Sequence, residues 1–574
     1  MSNFYTDNPD IRFCLDGQDM DRAIALREGD FGEAKIYEFA PRDAAEAREQ
    51  YEAVLKLAGE ICGEFVALRA EIIDKEGNTY RDGEVILHPQ LRACIDRFRE
   101  ADLMGLSMPR RFGGLNMPQS VKIAVIEMVA RADASLMNIV GLQDIAETIE
   151  TFAPENLKND VLPGLCDGES TAAMVFTEPD AGSDLGSVRL RADCEDEARN
   201  LWRLNGSKRF ITNGCGDVLV VLARSEHDVP GARGLSSFLV KKGEGVRIRR
   251  IENKLGIHGS PTCEIQFNNA PGHLIGTRKR GLIDAAMEIM NGARIGIAAQ
   301  AIGIAEAAAR EAVRYSESRV QFGKAIRIMP PVYEMLANMR IRIEAARALN
   351  IRSAHIVELL KSLQVRANEQ KATAEEKAEL KVLTRLAAAV TPLSKYFATE
   401  MSNQVCDDAI QVLGGSGYMK DYPVERYFRD ARITNIYEGT TQLQVVGAIG
   451  GITSGVLGND LDQLVKKGLE GAARDLFAQV QELRPMLDEA IALHKENKDQ
   501  EFRELYARRV VDLALDLYLG ALLAEQAARG GERKRALAEA FFANMKGRFR
   551  ENFAALKDGS RVLLEKHGLI VGLQ

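Results

Sequence analysis

The sequence predicts an α+β protein that is mostly helical, with one small β-domain set between helical regions. Three observations carry this reading. From Ala53 to about Ala172, apolar residues recur at three- and four-residue steps, which stacks them on one face of a helix. After Ala173 the pattern changes to short β-rich runs, Leu219-Val220-Val221-Leu222-Ala223 and Ser237-Phe238-Leu239-Val240. From Arg294 the helical spacing returns and dominates to the end.

Residues 1–50 have mixed charge and no clear period, and are read as an N-terminal extension. Residues 51–172 form a helical domain, typified by Val54, Leu55, Leu57, Ala58, Ile61, Cys62, Phe65 and Val66. Pro109 and Gly113-Gly114 break the run between helices. Residues 173–285 form the β-domain, where Asn205-Gly206 and Asn213-Gly214 are expected to supply the left-handed positions of tight turns.

Residues 286–455 form a second helical domain. Its long helix is expected to begin at Arg294, with Ile295, Ala298, Ile302, Ala305, Ala309 and Ala312 on one face and the alanines permitting close helix contact. The polar stretch from Gln364 to Lys381 should extend helices or a hairpin beyond the core. Gly447, Gly450, Gly451 and Gly455 are read as a linker. Residues 456–574 form an additional helical unit, broken at Gly530-Gly531 and Asp558-Gly559. Within it, Val510 to Leu523 contains Asp512 and Asp516, is too short to span a bilayer, and reads as a buried helix.

Composition narrows the function classes. Hydrophobic residues at 46% and charged ones at 28% describe an ordinary globular chain. A net charge of -8 argues against nucleic-acid binding, which favours a basic excess. The eight cysteines include no C-x-x-C pair, so neither a zinc site nor any other metal site is expected, and a reducing cytoplasm is the natural location. The start of the chain lacks the basic-then-apolar pattern of a signal peptide, and no transmembrane segment is expected.

The most informative stretch is Asn435-Ile436-Tyr437-Glu438-Gly439-Thr440-Thr441-Gln442. It sets one carboxylate between an aromatic ring and a glycine, with two hydroxyls and an amide behind. A base for a weakly acidic C–H proton needs an anion in a mostly apolar site, where burial raises its proton affinity. Three further motifs accompany it: Thr177-Glu178-Pro179-Asp180-Ala181-Gly182-Ser183-Asp184 with Lys208 to Gly214, then Arg319-Val320-Gln321-Phe322-Gly323-Lys324, then Gln411-Val412-Leu413-Gly414-Gly415-Ser416-Gly417-Tyr418. No β-α-β unit surrounds those last glycines, so a Rossmann site is excluded.

In order and spacing, these motifs closely resemble the acyl-CoA dehydrogenase family, from about residue 51 to about 455. The resemblance implies an N-terminal helical domain, a central β-barrel-like domain and a C-terminal four-helix bundle. The extra C-terminal helical unit resembles the layout of the very-long-chain type. It also implies FAD, bound between the β-domain and the C-terminal bundle and partly across a subunit interface. Met174, Phe176 and Thr177 would lie along the flavin ring, and Gly182 and Ser183 beside the pyrophosphate and the acyl-CoA. Phe210 and Thr212 would cover the ring near N5. Arg319 and Phe322 would hold the pyrophosphate and adenine end, and Gln411 with Gly414-Gly415 would be offered to a neighbouring subunit's cofactor. Thr440 and Gln442 would close the site.

The implied reaction is α,β-desaturation of an acyl-CoA to the trans-2-enoyl-CoA. Glu438 would take the α-proton, and its backbone N–H would help polarise the thioester oxygen. Substrate contacts would come from Ser183, Asn291, Arg294, Glu438 and Gly439. Some relatives carry the base just before the arginine matched by Arg294; here that residue is Ala293. Arg294 is expected either to orient the Glu438 loop or to make a structural salt bridge. The acyl pocket would be floored by Leu136 to Ile149, where Gln143, Asp144 and Glu147 either face solvent or meet a polar acyl tail.

Two departures from the family touch the adenine end or the subunit interface. Met329-Pro330 replaces a common His-Gln pair, and no arginine follows Gln442-Leu443-Gln444. The implied partners are an electron-transfer flavoprotein and further copies of the chain, as a homodimer or homotetramer. The alternatives are an acyl-CoA oxidase using O2, or a non-catalytic flavin-binding, DNA-associated protein of the same fold.

Overall fold

The strands between residues 172 and 275 close on themselves. In the computed structural model, which describes residues 2–573, Val218–Arg224 pairs with Leu235–Lys241, and Leu235–Lys241 with Thr262–Ile275. Thr262–Ile275 pairs with Leu201–Thr212, and Leu201–Thr212 with Arg191–Asp196. The pairing of Arg191 with Arg224 completes the ring. Ala172–Val175 adds in parallel beside Val218–Arg224, and Val246–Ile251 beside Thr262–Ile275. Trp202, Leu204, Phe238, Ile265 and Phe267 fill the interior, as the alternation of side chains along a strand requires.

Asn205-Gly206 does not turn the chain. It lies inside the long strand Leu201–Thr212, at a bulge between Leu204 and Gly206, where Gly206 has φ +140°. A bulge bends a strand for closure, and its residues are those a turn would use. Asn213 does turn the chain, with φ +50° and its carbonyl accepting from the Gly216 N–H.

Three long helices, Met287–Ser318, Pro330–Asn368 and Ala374–Leu413, reverse direction at short connections, and Val424–Thr434 packs beside them. The polar segment around 369–373 is the tip of this hairpin. Thr373 and Glu376 there form a reciprocal cap on the third long helix. The first long helix begins at Met287, not Arg294, after a π turn at Leu282–Ala286. Gly292, a poor helix former, hides that start in the sequence.

Gly447, Gly450 and Gly451 are not a linker; they lie inside the helix Thr441–Thr453. A Cβ on Gly451 would collide with Ala389, and one on Gly447 would touch Pro392 at 3.4 Å. Gly451, with Gly447 beside it, lets the helix close onto the third long helix, while Gly450 faces outward. Only Gly455, at φ +84°, breaks the run.

The N-terminal extension is folded into the molecule. Its helices Pro9–Leu15 and Met20–Glu28 bury Ile11, Cys14 and Ile24. Arg27 pairs with the fully buried Glu358 at 3.0 Å and donates to the Ser107 carbonyl at 2.7 Å. The region 51–172 is helical apart from a hairpin of Thr79–Arg81 and Glu84–Ile86. The C-terminal helices Arg474–Glu496, Gln500–Arg529 and Gly531–Asp558 share one continuous apolar cluster with the N-terminal helices and the bundle. Among the described residues, no helix is long and apolar enough to cross a membrane, and no group of three or more metal-ligating side chains occurs.

Candidate active site

A cavity with about 750 Å³ of empty space, including its mouth, opens where barrel, N-terminal helices and bundle meet. The barrel contributes Met174 and Thr212, and the N-terminal helices contribute Asn138, Gly141 and Leu142. The first long helix contributes Gly292, Ala293 and Gly296, and Tyr437 and Glu438 complete the wall. The small residues leave the space, since Gly141, Gly292, Ala293 and Gly296 project at most a methyl group into it.

Glu438 and Gly439 both hold left-handed backbone, at φ +53° and +87°. For glutamate this conformation is costly and must be imposed by its surroundings. Lys395, fully buried on the third long helix, donates to the carbonyls of Tyr437 and Gly439. The Gln444 Nε2 donates to the Gly439 carbonyl at 2.9 Å and the Glu438 carbonyl at 3.3 Å. The Tyr437 hydroxyl is fixed by Gln300 and by Asn138 at 3.2 Å. A trans peptide points its C=O and N–H in opposite directions. With the Tyr437 carbonyl turned to Lys395, the Glu438 N–H therefore points away from the lysine, and it has no acceptor among the described residues.

Burial pushes the Glu438 carboxyl above the usual carboxylate range, against the opposing charges of Lys395 and Arg294. Burial in turn brings Lys395 down to about 7. The site thus holds an acid whose proton affinity is raised, beside a lysine with a weakened hold on its own proton.

The other expected residues divide into two groups. Met174 and Thr212 line the cavity with Glu438. Phe176 is buried, and its carbonyl is occupied by Lys208 at 2.7 Å; the neighbouring Thr177 is half-buried. Gly182, Ser183 and Gln442 are exposed, and Phe210 stands 51% exposed at φ +62°. Thr440 precedes the helix Thr441–Thr453.

Arg319, Phe322, Gln411, Gly414 and Gly415 gather elsewhere, at the far end of the bundle, where the Tyr315 hydroxyl meets Ser416 at 3.2 Å. Helix rise places that end about 37 Å from Ala293, farther than one dinucleotide reaches.

Arg294 meets neither expectation. It makes no ion pair with Glu438 among the described residues; its Nη1 donates to Asn291 at 2.9 Å, and its buried Nε is unpartnered. The loop is oriented instead by Lys395 and Gln444. Lys395 was legible as a lone lysine on the core-facing side of an apolar helix, a position lysine rarely takes unless paired. Asp144 and Glu147 do not face solvent: with Lys361 and Glu288 they line the cavity, while Gln143 is buried and holds the Leu165 carbonyl at 2.8 Å.

The residues present fit a flat aromatic cofactor approached by backbone. Phe322 is 94% exposed and Phe210 51%, so neither ring is buried by the protein itself. A Cβ on Gly182 or Gly415 would meet nothing within 4 Å, so internal packing does not require these two glycines, whereas Gly414 caps the third long helix at φ +61°.

Comparison with known proteins bears on the fold and the family. The N-terminal, middle and C-terminal domain models of acyl-CoA dehydrogenase match residues 48–169, 173–270 and 280–446. An acyl-CoA dehydrogenase of Bacillus subtilis is 37% identical over 357 residues, spanning 61% of this chain and 86% of its own. The structure of butyryl-CoA dehydrogenase from Megasphaera elsdenii superposes with a TM-score of 0.60 at 31% identity, covering 71% of this chain and 98% of its own. Caenorhabditis elegans ACDH-11, solved with C11-CoA, shares the fold over 91% of each chain, with a TM-score of 0.75 at 20% identity.

Proposed function

Since the chain belongs to the acyl-CoA dehydrogenase family, oxidoreductases acting on CH–CH groups, we propose that Glu438 is the base that removes the α-proton of an acyl-CoA thioester as the trans-2-enoyl-CoA forms. One observation carries the reading: a carboxylate with raised proton affinity lies in the cavity wall, and its own N–H has no acceptor among the described residues.

The residues account for the proton's path. A thioester oxygen accepting from the Glu438 N–H gains a donor where enolate charge develops, which lowers the cost of leaving the α-carbon anionic. Glu438 then acts twice, through its carboxylate and its amide. Tyr437, locked to Gln300 and Asn138, fixes the loop from the opposite side. Ala293 supplies no competing base.

Met174, Thr177, Phe210 and Thr212 would hold the ring end of FAD, with Gly182 and Ser183 near its phosphates. Bound FAD supplies the acceptor for the β-hydrogen and its electron pair. Arg319, Phe322, Gln411, Gly414 and Gly415 lie too far from the cavity to serve the same molecule, which supports their reaching a second copy's cofactor in a homo-oligomer. An electron-transfer flavoprotein is the proposed electron acceptor. The added C-terminal helices are similar in extent to the very-long-chain type, which supports a shared architecture and not a shared chain length.

Anaerobic titration of the purified holoprotein with a panel of acyl-CoAs, following flavin bleaching, tests this reading. Glu438→Gln should keep FAD and lose about 10²–10⁴-fold in turnover; substantial retained turnover refutes the assignment. Rapid reoxidation of product-bound enzyme in air would reassign it as an oxidase.

A further inference from the structure

Toward Glu288 the cavity wall sets a cluster of charge among the apolar side chains Ile145 and Ile289. Lys361 pairs with Glu147 and with Glu288 at 3.3 Å, and Lys122 pairs with Glu147 at 2.9 Å and Asp144 at 3.0 Å. Asp144, Glu147, Glu288 and Lys361 all line the cavity. Three carboxylates face two ammonium groups.

The wall is unevenly satisfied. Glu147 receives donors from both lysines, from Ser107 and from Gln119 at 2.9 Å, and is the anchor of the network. Among the described residues, Asp144 has only Lys122, and Glu288 only Lys361. Each carboxylate offers about four acceptor positions, so these two leave acceptor capacity toward the cavity while the shared lysines have little donor capacity left. Hydrocarbon pressed against this surface would strip water from ions and return nothing.

We infer that the cavity selects a short acyl group whose far end carries a hydrogen-bond donor, a hydroxyl or amino group, read by Glu288 and Asp144. The inference rests on the proposed reaction and names its substrate class. Length follows from the first long helix: Ala293 and Glu288 are five residues apart, about 7.5 Å of rise. An extended chain built from C–C bonds of about 1.5 Å advances about 1.3 Å per carbon, so about six carbons fill the gap. A longer alkyl chain would meet the charged wall.

The test compares hexanoyl-, decanoyl- and 6-hydroxyhexanoyl-CoA, by flavin bleaching of the holoprotein and by calorimetric affinity on Glu438→Gln, which measures binding without turnover. The hydroxylated substrate should bind at least tenfold tighter than hexanoyl-CoA, with decanoyl-CoA weakest. Glu288→Leu should erase that preference, with Glu288→Met, which keeps the length but has no oxygen acceptor, used if the first variant does not fold. Decanoyl-CoA binding as tightly as the hydroxylated substrate, or an unchanged preference in the Glu288 variants, overturns the inference while leaving the desaturation reading intact. Bleaching by no acyl-CoA at all overturns that reading, and the inference with it.

Discussion

Lys395 governs Glu438 without touching its carboxylate: its ammonium group grips the carbonyls on either side of that residue, those of Tyr437 and Gly439. Two donors on one rigid arm fix the orientation of both peptide planes, and with them the direction of the Glu438 N–H. The same lysine lowers the proton affinity of the glutamate through space.

Replacing Lys395 by Met should therefore lower kcat by up to about 10²–10³-fold, the scale of losing one donor to a developing oxyanion. Removal of the positive charge should also raise the Glu438 carboxyl further, moving the acid limb of the kcat–pH profile to higher pH. A purely structural lysine would change stability and leave that limb in place, and Lys395→Arg should restore part of both effects.

His258 joins three parts of the chain. Its Nδ1 faces the Asp74 carbonyl at 2.9 Å and carboxylate at 3.1 Å, and its Nε2 faces the Lys254 carbonyl at 2.9 Å. Asp74 also holds Arg429 of the bundle at 2.6 Å. Only the imidazolium can donate from both nitrogens, and the Asp74 hydrogen bond raises its pKa from 6.5 to about 9. The folded pKa exceeds the unfolded one, so this contribution is full below about pH 6.5 and is lost as pH rises through about 9. His258→Gln should cost about 1 kcal/mol near pH 6, allowing for solvent screening of a partly exposed pair, and should flatten the decline in stability between those pH values. Denaturant melts at stepped pH measure both.

Gly303 sits where the first long helix crosses Gln119–Ala132. A Cβ there would overlap the Glu127 carbonyl and lie 2.7 Å from the Arg131 N–H. Gly303→Val should destabilise the fold by about 1–3 kcal/mol, or more if the helices cannot separate, as measured by thermal or denaturant unfolding. The crossing also carries the buried Arg347, which bridges Glu127 and Glu306 at 2.8 and 2.9 Å, so there is little slack to absorb the shift.

Arg319 tests the assembly. Arg319 is exposed and lies about 37 Å from the cavity along the helix; its exposure means that Arg319→Ala should leave monomer stability nearly unchanged. It should weaken FAD retention by about tenfold through loss of a bidentate phosphate contact. Retained flavin content after gel filtration, measured alongside molecular mass, reads the effect.

Much of this molecule is legible in its sequence. The apolar face of the first long helix, the hairpin beyond the core and the buried segment Val510 to Leu523 all follow from local spacing, since helix and strand periods are properties of neighbouring residues. The misreadings share a cause. Asn205-Gly206 and the pair Gly447 and Gly451 carry the composition of turns and linkers, yet serve as a bulge and a close helix contact, because what surrounds a glycine decides its use. Residues 1–50 look irregular alone and become core only where Ile11, Ile24 and Arg27 find their partners.

The sequence by itself determined the order of helical and β regions, the family, and an acid set between Tyr437 and Gly439, all written in contiguous residues. Tertiary structure alone decided which groups govern that acid, because Lys395, Gln300 and Asn138 reach it across distant segments. It likewise decided that Asp144, Glu147, Glu288 and Lys361 share a cavity wall, since long-range packing sets the proximity of charges and, through desolvation, their proton affinities.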